Sequence, residues 1–230
     1  LSHVSFGALS IAVAAGWSPL KVSIPLVVLA AFFLLRITEH GKVKSDAAIA
    51  MISASSLAVG IIVTSLTTGM TTDVSSYMFG SILAMSREDV ILSAVLSIIV
   101  LCLFVFCYNK LFAVTFDENF AKATGVNVEL YNVLIAVLTA VTIVLGMRMM
   151  GAMLISSLII FPALTAMRIF KSFRGVVICS GVLAVVCFLF GIIFSYGCST
   201  PAGASVVLVN LAAFIVFSVV QSLLMRVTKK

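Results

Sequence analysis

The sequence predicts an all-α protein, a polytopic membrane helix bundle with about eight transmembrane helices. Hydrophobic residues make up 63% of the 230 and charged residues only 10%, with a mean hydropathy of +1.31. A soluble domain carries roughly 25% charged residues. The apolar residues also fall in long runs without alternation, such as Val90 to Cys107. Lipid demands that every backbone polar group be satisfied internally, and unalternating runs of this length suit helices better than barrel strands.

About 20 apolar residues cross a ~30 Å hydrocarbon core. That length places spans near 1–17, 20–36, 46–66, 90–108, 130–147, 149–167, 176–195 and 204–222. The first is incomplete, reaching an interfacial Trp17 after too few residues. Its start, Leu1-Ser2-His3-Val4-Ser5, is neither a charged signal region nor an initiator methionine, so a further piece is expected upstream. Ala8, Ala12 and Gly16 recur every fourth residue and predict a face for close helix approach. Gly146, Gly151, Ala152, Ser156 and Ser157 do the same around the sixth span. Pro162 predicts a kink there, a feature that can line a transport pathway. Asn210, alone in the last span, is expected to hydrogen-bond to a neighbouring helix. Cys102, Cys107, Cys179, Cys187 and Cys198 are odd in number and lack C-x-x-C spacing, and read as free, buried thiols. With no low-complexity linker and no repeat, residues 1–230 read as one transmembrane domain, truncated at its N-terminus.

Basic residues set the expected orientation. With a cytosolic C-terminus, Arg36, Lys42, Lys44, Lys110, Lys122, Arg168, Lys171, Arg174, Arg226, Lys229 and Lys230 lie inside, against Lys21, Arg87 and Arg148 outside. The net charge of +6 then reflects topology and membrane lipid rather than nucleic acid.

Residues 115–129 form a hydrophilic island holding Asp117, Glu118 and Glu129, three of the eight acidic residues. An acidic pair followed by Phe120, Ala121, Ala123 and Gly125 fits a short helix with acids at its N-terminus and a glycine C-cap. The orientation puts it in the cytosol, where it either docks into another protein or forms a solvated loop.

The chain has no G-x-x-x-x-G-K-[ST], G-x-S-x-G or H-E-x-x-H motif. It therefore reads as a transport subunit without permanently bound cofactor, and any ATP hydrolysis belongs to another chain. No carboxylate falls within the apolar interior of a span, so the coupling acids of a secondary transporter are missing. His3, at the entry to the first span, is either a metal ligand on a pathway or a structural histidine.

These residues together resemble a family. Asp117-Glu118-Asn119-Phe120-Ala121-Lys122-Ala123-Thr124-Gly125-Val126 resembles the cytosolic D-E-x-x-A-x-x-x-G-[VI] coupling element of the zinc/manganese-type ABC transporter permeases. Leu1-Ser2-His3 resembles the tail of that family's D-A-[LI]-S-H element, residues 146–163 its G-x-x-x-x-G-x-L-L-I-x-x-L-L-x-x-P-A stretch, Thr200-Pro201-Ala202-Gly203-Ala204 its T-P-x-G-A turn, and Phe79-Gly80-Ser81-Ile82-Leu83-Ala84 its F-G-x-I-L-A segment. The resemblance implies a dimeric permease of the compact, many-helix type shared with vitamin B12 importers. It also implies cytosolic ABC ATPase subunits, an extracytoplasmic metal-binding protein and a bacterial inner-membrane location. It implies a coupling helix within 115–127 contacted through Asp117, Glu118, Phe120, Ala121 and Gly125, a pathway near Gly151 and Pro162, and metal ligation by His3. The family's Asp, one helical turn before that histidine, would fall two residues before Leu1. Zinc is favoured because Ser-His-Val-Ser is nearer the zinc-type members. Manganese or iron import is the alternative, and a secondary transporter or a structural membrane subunit the reading from other classes.

Overall fold

The computed structural model describes residues 1–40, 45–67 and 87–228. The 79–84 motif, Lys42, Lys44, Lys229 and Lys230 lie outside the described residues. Nine helices follow one another among those described: α1 (Ser2–Ala14), α2 (Pro19–His40), α3 (Ser45–Leu66), α4 (Arg87–Phe116), α5 (Glu118–Ala123), α6 (Val128–Met150), α7 (Ala152–Ile169), α8 (Phe173–Cys198) and α9 (Ala202–Thr228). Seven, all but α1 and α5, are long and apolar enough to cross a membrane. The expected eighth span is α1, whose 13 residues rise only about 20 Å. It stops because Gly16 takes φ 68, and the Gly16 and Trp17 N–H groups turn back to the Val13 and Ala12 carbonyls at 3.0 and 2.9 Å. This is a Schellman cap, whose left-handed residue only glycine accepts cheaply.

The chain divides into two compact units, Leu1–Met149 and Met150–Lys230. In the first, α1 crosses α3 at very short range. A Cβ on Gly7 would meet the Ser56 carbonyl oxygen at 2.7 Å, and one on Gly60 would meet the Phe6 ring at 2.6 Å. Close approach therefore runs through Gly7 and Gly60 rather than along the expected Ala8–Ala12–Gly16 stripe, since Gly16 is exposed in the turn. Ala8 instead joins a buried cluster with Leu20, Val27 and Ala31 of α2 and Ala140, Val141, Val144 and Leu145 of α6, against which Leu92 and Leu96 of α4 pack.

The second unit is a three-helix bundle. A Cβ on Gly191 would stand 2.6 Å from the Val206 Cα, so α8 and α9 meet backbone to backbone. Phe161 and Phe214 meet edge to face with centroids 6.2 Å apart, and the Arg168 guanidinium lies 5.4 Å from the Phe214 ring centre. α7 runs from Ala152 to Ile169 with Pro162 inside it, so the helix is not ended by the proline. Asn210 is buried, yet its Nδ2 donates to the Val206 carbonyl of its own helix at 2.9 Å rather than to a neighbour. The carbonyl four residues back is always within reach of a short amide side chain, and here it takes the donor. The cysteines are free, but only Cys187 is buried, while Cys102 and Cys198 are exposed. Most side chains of α4 and α8 are not buried.

Candidate coupling helix and metal ligand

The hydrophilic island is a short helix capped at both ends. Asp117 has extended geometry, and its Oδ1 accepts from the Asn119 and Phe120 N–H groups, each at 3.0 Å. Two otherwise orphaned donors are satisfied by a carboxylate placed where the helix dipole favours it. Glu118 reaches sideways, its Oε1 accepting from Asn132 Nδ2 of α6 at 3.1 Å. At the other end Gly125 takes φ 82. Its N–H donates to the Lys122 carbonyl at 3.1 Å, and the Val126 N–H to the Ala121 carbonyl at 3.0 Å. This second Schellman cap carries the expected apolar contact, because Val126 packs on the small core formed by Val114, Ala121 and Val128.

Packing decides which side of α5 is free. Ala121 is fully buried against Val114 of α4 and Val128 of α6. The sequence reading that gave Ala121 to a docking surface is corrected: a six-residue helix wedged between two spans must spend its smallest apolar side chain on its own seat. Phe120 faces out at 63% exposure, beside Phe116 at 82%. Phe112 and Phe116 lie with ring centroids 5.7 Å apart. The sequence reading missed Phe112 and Phe116, whose four-residue spacing puts them on one face at the end of α4.

His3 sits in the first turn of α1 with its side chain exposed. Among the described residues no three His, Cys, Asp or Glu side chains gather as a metal site. Two open hollows in the first unit, of about 180 and 270 Å³, are lined without any His, Cys, Asp or Glu side chain, so neither is a ready ligand cage. Three buried serines in the same unit, Ser5, Ser23 and Ser93, have hydroxyls with no hydrogen-bond partner among the described residues. Buried hydroxyls normally find one, often the carbonyl four residues back. Sequence alone gave no warning of them, since serine in a membrane helix is ordinarily satisfied that way. Gly151 precedes α7 with φ 84 and ψ 162, a region open essentially to glycine alone. Pro162 is buried and supplies no N–H to the helix, while the hydroxyl of Ser157, buried nearby in sequence, has no hydrogen-bond partner among the described residues.

Seven helices long and apolar enough to cross a membrane, with a short capped hydrophilic helix between two of them, define a polytopic helical membrane protein among the described residues. Residues 1–221 match the ABC 3 transport family, and the chain belongs to it. It is 27% identical over 215 residues to the high-affinity zinc uptake system membrane protein ZnuB of Haemophilus influenzae, covering 94% of this chain and 82% of that protein. It is 32% identical over 188 residues to the manganese import system permease protein ScaB of Streptococcus gordonii, covering 82% and 67%. Among solved structures, a chain of PsaBC from Streptococcus pneumoniae in complex with Fab superposes with a TM-score of 0.82 at 29% identity, covering 94% of this chain and 78% of that one.

Proposed function

We propose that this chain is the membrane-spanning subunit of an ATP-driven importer of a divalent transition metal, with zinc as the favoured ion. The observation that carries the reading is α5, a helix with Asp117 and Gly125 closing its ends, Ala121 seating it and Phe120 presented outward. Such an element transmits force because it cannot slide in its seat. ATP-driven closure of two ATPase subunits pushes on it and switches the bundle between outward and inward access. An extracytoplasmic metal-binding protein delivers the ion, a second permease copy completes the pathway, and the C-terminus lies in the cytosol of a bacterial inner membrane. His3 holds the ion transiently, and the hydroxyls of Ser5, Ser23 and Ser93 are oxygen donors available to its hydration shell. Loose, multi-site holding of this kind is what permits release.

Manganese is the second reading, supported by the resemblance to the Streptococcus gordonii permease. The test is metal uptake by cells with and without the gene. Loss of zinc accumulation, with manganese unchanged, is the expected result; the reverse selects manganese, and no change in either metal refutes import.

A further inference from the structure

Within the second unit α7 and α9 run in the same direction, because α8 returns between them through the short links 170–172 and 199–201. They pack along one another, and the Phe161–Phe214 ring contact fixes their register. One helical turn to either side of that contact, polar residues stand at matching levels: Ser157 with Asn210, and Thr165 with Ser218. At each level one side chain bonds to its own helix. Asn210 Nδ2 donates to the Val206 carbonyl at 2.9 Å, and Thr165 Oγ1 donates to the Phe161 carbonyl at 2.8 Å. The hydroxyls opposite them, Ser157 and Ser218, are buried with no hydrogen-bond partner among the described residues. The neighbouring Ser156 bonds the carbonyl four residues back, Ala152, at 2.8 Å, so α7 offers Ser157 the same bond and Ser157 does not take it.

We propose that α7 and α9 form a latch with two positions, open as seen here and closed with Ser157 O–H donating to Asn210 Oδ1 and Ser218 O–H to Thr165 Oγ1. Closing adds two hydrogen bonds and breaks none. Asn210 keeps its bond through Nδ2, and Thr165 Oγ1 accepts while it goes on donating. The Phe161–Phe214 pair, edge to face at 6.2 Å, is the spacer that keeps the seam open. Pro162 lies between the two polar levels and withholds the N–H that the Leu158 carbonyl would receive, so α7 bends most easily there. Two buried hydroxyls gain partners on closing while an aromatic contact is given up, which sets the two positions close in energy. Use of the latch in a transport cycle rests on the importer reading; the closing itself depends on α7 and α9 alone.

The experiment places the full chain in nanodiscs with its five cysteines replaced by alanine and a new pair introduced, Ser157→Cys/Asn210→Cys or Thr165→Cys/Ser218→Cys. Under mild oxidation both pairs should form disulfides, which require Cα atoms within about 7 Å. Phe214→Leu, which trims the spacer, should speed both by on the order of 10-fold. Equal linking of the mismatched pair Ser157→Cys/Ser218→Cys overturns the latch, as do rates that Phe214→Leu leaves unchanged. A second arm needs no cysteine. Ser157→Ala/Ser218→Ala deletes hydroxyls that make no bond in the open position, so the unfolding temperature should hold or rise. ATP hydrolysis by the complex with its ATPase subunits should nevertheless fall on the order of 10-fold, because the closed position has lost both donors. Asn210→Ala leaves the Thr165 level intact and should hydrolyse nearly as the unaltered chain does. Full hydrolysis by the double serine variant overturns the latch, and so does a lowered unfolding temperature, which would mean that the hydroxyls are bonded where they stand. If the unaltered chain engages no ATPase subunit, the importer reading fails and the disulfide rates still decide the latch.

Discussion

Replacing Gly125 separates a rigid coupling helix from a plain solvated loop. The residue takes φ 82, and a Cβ built on it meets nothing within 4 Å. The cost of substitution is therefore conformational, with no steric part. A side chain forced into the left-handed region costs about 1–2 kcal/mol, most for β-branched residues and least for asparagine. The alternative is to let the turn unwind, which gives up the Gly125–Lys122 and Val126–Ala121 hydrogen bonds at about 1 kcal/mol each and slackens the Val126 contact. Either route weakens the C-cap of α5 by about 1–2 kcal/mol, roughly a 5- to 30-fold rise in its local opening. Amide hydrogen exchange over residues 118–126 in nanodiscs should accelerate by that factor in Gly125→Val, by less in Gly125→Ala and least in Gly125→Asn, while exchange in α8 stays unchanged. With the ATPase subunits present, metal-stimulated hydrolysis should fall in the same order. If asparagine proves as damaging as valine, the conformational reasoning is wrong. If valine exchanges and couples like the natural residue, α5 is a loop that happens to be helical.

Other outcomes follow from the same geometry. Gly191→Ala places a methyl 2.6 Å from the Val206 Cα and should lower the unfolding temperature by an amount equivalent to about 1–3 kcal/mol, whereas Gly181→Ala, with open space around it, should be nearly silent. Phe120→Ser should leave stability unchanged and uncouple hydrolysis from metal delivery. Ala121→Arg drives a charge into a fully buried seat and should destabilise the 114–128 region by several kcal/mol, so its lost coupling reports packing rather than docking. In the full-length protein, His3→Ala should abolish metal uptake at normal expression, while Cys198→Ser and Asn210→Ala retain most of it; wild-type uptake by His3→Ala at low metal removes the ligand assignment.

What the sequence disclosed, and what it withheld, divides along a physical line. Span positions were legible because burial in lipid is a property of composition, and the seven membrane-length helices begin and end within a few residues of the expected spans, apart from the C-terminal extensions of α4 and α9. Both caps of α5 were legible because an Asp before a helix and a Gly after it act on their own backbone. The crossing of α1 on α3 was not legible. Ala8, Ala12 and Gly16 and the true contacts Gly7 and Gly60 are equally small, and only the rotation of one helix against another selects between them. Asn210 was misread for a related reason, since an amide that can reach its own helix and a neighbour's gives no sequence sign of which it takes. The seat of Ala121 lies between these cases. Its four-residue spacing to Gly125 was in plain view, but the direction it faces is fixed by Val114 and Val128 arriving from two different spans. Ala121 is the buried residue of this short helix, and residues 117–120 and 122–125 are exposed. Exposed aromatic side chains therefore stand on α5 at Phe120 and on the C-terminal end of α4 at Phe112 and Phe116, on either side of the break at Asp117. The acids stay exposed while they bond, Asp117 to its own helix and Glu118 to Asn132.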